Sequence, residues 1–205
     1  DASMQAASAI QQSVALGRSI WLLFVDLKQF FSMVNREVLT MQELMYGLPP
    51  DVIELTHAIY ATYEGGVECR FDSSEGLGGA FRNDTGTLMG CVLSPDKAKI
   101  FMDSIIRAVD LACRGVRLWG AEAQEVLQMA FGDDWLGTFG ELEECQRAWG
   151  LWSAWAGAHG MVLGVKGVAK TAVSGVQMRC GVAGDIDDPR LELSGGGFGT
   201  SWRSC

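Results

Sequence analysis

Asp26, Asp133 and Asp134 are the residues with the most chemistry to offer. Asp133 and Asp134 sit in the stretch Gln128 to Phe139, where two apolar, β-prone runs flank a Gly-Asp-Asp tip. Gly and Asp tolerate the positive φ that tight hairpin turns demand, so the stretch reads as a hairpin. An Asp-Asp pair taken alone is an ordinary surface turn, but Met129, Phe131, Trp135 and Leu136 lay this one on a core. Adjacent carboxylates on such a tip repel unless a cation or a base satisfies them. Asp26 ends the apolar run Ser19 to Val25, and a carboxylate at the end of a buried strand is costly unless it is paired or binds a metal. Converging, these groups would be hard oxygen ligands suited to Mg²⁺, which binds through one or two carboxylates and leaves room for phosphate oxygens. A pair of such ions activates an attacking hydroxyl and stabilises the leaving oxygen of an in-line phosphoryl displacement. Nucleotidyl transfer has that design, and a lysine can serve it as general acid for the pyrophosphate.

The elements that must position these groups follow from pattern. Residues 2 to 17 carry Met4, Ala7, Ile10 and Val14 at helical spacing, with Gly17 as a stop. Ser19 to Val25 is too densely apolar for a half-exposed strand and reads as central in a sheet. After Asp26 the periodicity turns helical through about Met45, ended by Gly47 and Pro49-Pro50, and a second helix runs from Asp51 to about Tyr63 with His57 as a structural or exposed residue. Val67 to Asp72 and Ala80 to Asp84 predict short strands joined by a loop from Ser73 to Gly79. Ser94-Pro95-Asp96 predicts a helix start, with Ser as N-cap, and Ile100, Phe101, Ile105, Ile106 and Val109 form its core stripe. Leu118 to Glu125 reads as a connection, 141 to 157 as a helix with Leu142, Cys145, Trp149 and Trp152 on one side, and Thr171 to Met178 as a strand. Beyond Gly181 only a turn at Asp185 to Asp188 and a short strand at Leu191 to Leu193 are expected. This order implies an α+β fold, a mainly antiparallel sheet covered on one face by helices.

At 205 residues and 48% hydrophobic composition, the chain can bury a substantial core as one domain or most of one. Its longest apolar run, Ile20 to Val25, is far short of a membrane span, and no leader pattern opens it, so no membrane partner is expected and an intracellular location is. The six cysteines are widely spread without a C-x-x-C pair, which argues for reduced thiols over a zinc site. A net charge of −9 lacks the basic footprint of phosphate binding. The start at Asp1 and the Gly-rich run Ser194 to Gly199 suggest a piece of a longer polypeptide whose other segments carry that charge. Lys28, Lys97 and Lys99 are read as solvated surface.

Taken together, the motifs resemble the palm of reverse transcriptases, most closely those of non-LTR retrotransposons and group II intron-like elements. Phe24-Val25-Asp26-Leu27-Lys28-Gln29-Phe30-Phe31-Ser32-Met33-Val34 is similar to the first palm motif, and Gly86-Thr87-Leu88-Met89-Gly90-Cys91-Val92-Leu93-Ser94-Pro95 to the second. Phe131-Gly132-Asp133-Asp134 resembles the third and Gly160 through Lys170-Thr171 the fourth. The resemblance covers residues 1 to 180 as a palm with part of the fingers, the thumb absent, and leaves 181 to 205 as a poorly defined segment leading out of it.

The resemblance implies an RNA-directed DNA polymerase using Mg²⁺, or Mn²⁺ in its place, with an RNA template, a DNA or RNA primer, deoxynucleoside triphosphates, and further fingers and thumb segments of the parent polypeptide as partners. Asp26 and Asp133 would hold the metals with the Leu27 carbonyl, Asp134 would assist, and Phe31, Met89, Gly90 and Cys91 would line the nucleotide site. Phe31 falls at the gate against the sugar 2′-hydroxyl, where viral RNA-dependent RNA polymerases place an Asp; their Ser-Gly-x-x-x-Thr-x-x-x-Asn second motif is also absent here. Met89 stands where the family usually has Gln, Ser32 where it has an acid, and Gly164 where it has Asn. The general acid is Lys166 or Lys170, and Thr171 with the following strand favours Lys170. A decayed or domesticated copy, retaining the fold as an RNA-binding module, is the alternative.

Overall fold

The run Ile20–Val25 becomes the central strand: every side chain in it is apolar and both of its edges are paired. The computed structural model describes residues 2–61, 64–74, 76–88, 90–117, 125–131, 134–164, 171–179 and 182–184. These fall into two compact units: Asp1–Lys28, Ser104–Ala158 and Val162–Cys205 form the first, and Gln29–Asp103 with His159–Met161 the second.

In the first unit, helix α1 (Ala2–Ala15) leads into β1 (Ile20–Val25). The hairpin β6 (Gln128–Phe131) and β7 (Asp134–Phe139) lies on one side of β1, and β8 (Ala172–Arg179) with β9 (Val182–Gly184) on the other. The sheet is five-stranded in the order β6-β7-β1-β8-β9, with every neighbouring pair antiparallel. A small separate ladder pairs β4 (Val116–Arg117) with β5 (Glu125–Val126).

The α+β class expected from the sequence stands, with the covering helices divided between the two faces of the sheet. Ile20 and Leu22 pack with Ala9 of α1, joined by Ile10 and Leu136. Trp135, one residue along β7 and so on the opposite face, meets Trp152 of α6 (Leu142–His159) at 5.2 Å between rings, and Trp152 meets Trp155 edge-on at 5.6 Å. The Trp135 indole N–H is satisfied by Gln128 Oε1 at 2.8 Å and that of Trp155 by Ser104 Oγ at 2.9 Å. The tryptophans of α6 are therefore packing residues, as expected.

The second unit holds α2 (Phe30–Met33), α3 (Arg36–Met45), α4 (Pro50–Ile59), the hairpin β2 (Val67–Ser73) and β3 (Gly76–Asn83), and the first half of α5 (Ser94–Ala112). The single helix expected from after Asp26 to Met45 is broken. Gln29 adopts a left-handed φ of 49°, α2 lasts one turn, and the Asn35 side chain accepts from the Glu37 and Val38 amides at 2.9 and 3.1 Å to begin α3 afresh. Asp51 lies in the first turn of α4, and His57 meets the Thr40 hydroxyl at 2.8 Å between α3 and α4. The turn of the β2-β3 hairpin is shorter than expected, since the strands pair as far as Ser73 with Gly76.

Ser94 is not the N-cap. It is the first helical residue of α5, and its hydroxyl donates to the Leu88 carbonyl at 2.7 Å. Lys97 is not solvated either: 6% exposed, it pairs with Glu43, which is 1% exposed. Lys99 is exposed and bridges to Asp96 at 3.0 Å, as a surface lysine should. The described cysteines Cys69, Cys91, Cys113 and Cys145 are free thiols. Burial pushes the Cys145 thiol up to about 12, with Cys113 beside it adding to the shift.

Candidate functional site

The carboxylate end of the site is assembled by strand register. β1 and β7 pair from Trp21 with Phe139 to Val25 with Trp135. Continued by one step beyond its last pair, the ladder would place Asp26 opposite Asp134, and residues opposite each other in an antiparallel pair project from the same face. Asp26 is half-buried and Asp134 exposed. The last pair of the β6-β7 hairpin is Phe131 with Asp134. Gly132 and Asp133, between them in sequence, lie outside the described residues.

At Asp26 the chain changes partner on its other edge. The β1-β8 ladder stops at Phe24 with Ala172. Two residues later the Asp26 carbonyl accepts from Gly164 N–H and the Lys28 amide donates to Val162 O, both at 2.9 Å, around a bridge between Leu27 and Leu163. In a bridge of this kind the flanking residues make the bonds. The Leu27 carbonyl is thus turned to the other edge of the strand, the edge that β7 borders.

Among the described residues, no group of three or more His, Cys, Asp and Glu is gathered to hold a metal ion. The donors that the ladder leads to are the carboxylates of Asp26 and Asp134 and the Leu27 carbonyl, hard oxygen ligands of the kind that suits Mg²⁺. The third carboxylate expected there, Asp133, and both lysine candidates, Lys166 and Lys170, lie outside the described residues.

Phe31 belongs to the second unit, where a different device fixes it. Its ring packs edge-on against buried Phe30 at 5.4 Å, and Phe30 in turn against Phe101 at 6.1 Å. Its carbonyl accepts from the Thr87 amide at 2.6 Å, the Val34 carbonyl from Gly86 N–H at 3.0 Å, and the Ser32 carbonyl from the Thr85 hydroxyl at 3.2 Å. The loop that makes these bonds is tied down by Arg36. The Arg36 guanidinium donates to the carbonyls of Gly86, Tyr60, Asn83 and Thr85 at 2.8 to 3.3 Å and lies over the Tyr60 ring at 5.2 Å. Burial draws its pKa below the ordinary arginine range, with Tyr60 and Asp84 opposing, yet an arginine stays charged throughout the physiological range. Gly86 is needed where it is: its φ is +72°, and a Cβ there would drive into the backbone of Phe31 and Ser32.

Cys91, also of the second unit, is half-exposed in the turn before α5. A backbone hydrogen bond at Leu93 draws its thiol pKa down, and the Tyr60 and Ser94 hydroxyls add to the effect against the opposing effect of burial. Gly90 has a positive φ of 83° with open space where a Cβ would stand. Met89 lies outside the described residues.

A family model for reverse transcriptase (RNA-dependent DNA polymerase) matches residues 2–173. The chain belongs to that family. No curated protein matches it in sequence. Among solved structures, the chain is similar to telomerase from Candida albicans, solved with a fragment of telomeric RNA, at a TM-score of 0.58 and 13% identity over 84% of this chain and 29% of that one. It is also similar to apo telomerase from Candida tropicalis truncated of its C-terminal domain, at 0.56 and 11% over 90% and 39%. At such identities the likeness is one of fold. The chain spans less than half the length of either.

Sequence reasoning missed Arg36 and the buried Glu43–Lys97 pair. A signal was present. Arg36, Leu39 and Glu43 are the buried residues of α3, so two charged residues share the spacing of its apolar face and need buried partners.

Proposed function

We propose that this reverse transcriptase fragment comes from a retroelement of the non-LTR or group II intron-like kind and that its parent polypeptide adds deoxynucleotides to a primer on an RNA template. The single observation that supports the reading is the β1-β7 register, whose last pair, Val25 with Trp135, adjoins Asp26 and Asp134 in a chain whose family match spans both. The primer 3′-hydroxyl attacks the α-phosphate of the incoming deoxynucleotide, and pyrophosphate leaves. Asp26 and Asp133, with the Leu27 carbonyl and assistance from Asp134, would hold a pair of Mg²⁺ ions. Bound there, the ions lower the pKa of the attacking hydroxyl and neutralise charge on the leaving oxygen. Lys170, or Lys166, donates the proton to the leaving pyrophosphate. The Phe31 ring excludes a ribose 2′-hydroxyl by bulk, and Gly90 and Cys91 line the nucleotide side. Fingers and thumb segments of the parent polypeptide supply the basic surface that a chain of net charge −9 lacks.

The test is primer extension on RNA by the full-length polypeptide. Extension with dNTPs that Asp133→Asn abolishes is the expected result, and extension with NTPs alone would indicate an RNA polymerase instead. A second reading is favoured by Met89, whose thioether lacks the amide hydrogen bonds of the family's usual Gln. In that reading the fold persists as an RNA-binding module without catalysis. Undiminished function in cells carrying Asp26→Asn would support it, and metal-dependent incorporation would end it.

A further inference from the structure

We infer that Thr171 is a positioning residue for Asp26, holding the peptide of the metal-binding carboxylate at the point where its strand changes neighbours. This rests on the polymerase reading of Asp26. Continued by one step, the β1-β8 ladder would place Thr171 opposite Val25, but backbone pairing has already ended at Phe24 with Ala172. A side chain takes over. The Thr171 hydroxyl accepts from the Asp26 amide at 2.9 Å and donates to the Asp26 carbonyl at 3.3 Å. The same carbonyl accepts from Gly164 N–H, so Asp26 is held jointly by the residue just before β8 and by the Val162–Gly164 segment. Thr171 is 8% exposed, which leaves water little room to replace the hydroxyl.

A half-buried carboxylate that must meet a cation beside Asp134 depends on where its own Cα stands. Outer partners that orient a ligand commonly control metal affinity nearly as strongly as the ligand itself. The Thr171 hydroxyl bonds both backbone polar groups of Asp26. Serine can replace that function and valine cannot.

The experiment uses the full polypeptide with Thr171→Val and Thr171→Ser, and Asp26→Asn as reference for the site-specific component. Three quantities are read: Mn²⁺ binding by loss of the free-ion paramagnetic resonance signal, exchange of the Asp26 amide hydrogen, and kcat and KM for deoxynucleotide incorporation. Thr171→Val is expected to weaken Mn²⁺ binding about tenfold or more, to speed Asp26 amide exchange, and to lower kcat with little change in KM for the nucleotide. Thr171→Ser is expected to restore all three. If valine does not fold, Thr171→Ala is read in the same way. Equal Mn²⁺ binding by wild type and the valine variant, Mn²⁺ binding by wild type that Asp26→Asn leaves intact, or a serine variant as poor as valine, would overturn the proposal. Mn²⁺ binding that depends on Asp26 and Thr171, in a protein that incorporates no nucleotide, would sink the polymerase reading and leave the positioning role standing.

Discussion

In the first unit Asp26 takes its place from the register of a ladder, whereas in the second Phe31 takes its place from a loop held by one buried arginine. The ladder distributes its work over five residue pairs from Trp21 with Phe139 to Val25 with Trp135, so no single side chain is indispensable to it. In the second unit the work is concentrated: one side chain bonds four carbonyls, of which only that of Asn83 belongs to a strand. Substitutions at the ends of the ladder should therefore remove chemistry and spare the fold. Substitutions at the clamp should cost the fold first.

The largest effect expected is that of Asp26→Asn. It should lower deoxynucleotide incorporation by the parent polypeptide on the order of 10²- to 10³-fold, by analogy with removal of one preorganised electrostatic group, while leaving the thermal midpoint nearly unchanged. A midpoint that falls along with activity would make Asp26 structural and erase the contrast between the units. Next is Arg36→Met, which leaves four carbonyls without their donor and should lower the unfolding free energy in urea by about 3–4 kcal/mol. Arg36→Lys should recover only part of this, because an ammonium cannot fork among acceptors; full recovery would show that charge, not geometry, holds the loop.

Gly86→Ala should cost about 2 kcal/mol from its positive φ and the crowding against Phe31. In single-nucleotide incorporation it should also weaken discrimination against ribonucleotides, since the segment bearing Phe31 must shift; unchanged discrimination would uncouple the loop from the gate. The smallest effect is expected of Asn35→Ala, about 1 kcal/mol for a lost helix cap, by thermal or urea unfolding. A cost several times larger would mean that the break between α2 and α3 is itself part of the clamp.

The first unit was largely legible in the sequence because its signals are local. A dense apolar run ending in Asp26 marks a central strand, and Gly-Asp-Asp between apolar runs marks a hairpin. What could not be read is which face each β1 residue occupies, since Ile20 to Val25 has no polar alternation to report it, and the helices on the two faces were accordingly hidden. In the second unit the decisive contacts are distant and generic. Lys97 meets Glu43 54 positions away, and Arg36 reaches carbonyls 24 to 50 positions away, acceptors that every residue possesses. The break at Asn35 was masked because Phe30, Val34 and Val38 carry helical spacing straight across it. Thr171 was noticed only as the residue after a candidate lysine, and nothing local says that its hydroxyl serves Asp26.

The position of β1 in the middle of its sheet also governs how this chain can vary in length through descent. A one-residue insertion or deletion within Ile20–Val25 would exchange the residues facing Ala9 for those facing Trp152 and shift Asp26 past Asp134, on both sides of the strand at once. Among the described residues the β2-β3 hairpin pairs only with itself and is largely exposed, so it can grow or shrink around its turn without disturbing a neighbouring described strand. Length differences between natural relatives should accumulate there and be purged from β1, leaving the spacing from Trp21 to Asp26 as the most rigid interval in the gene.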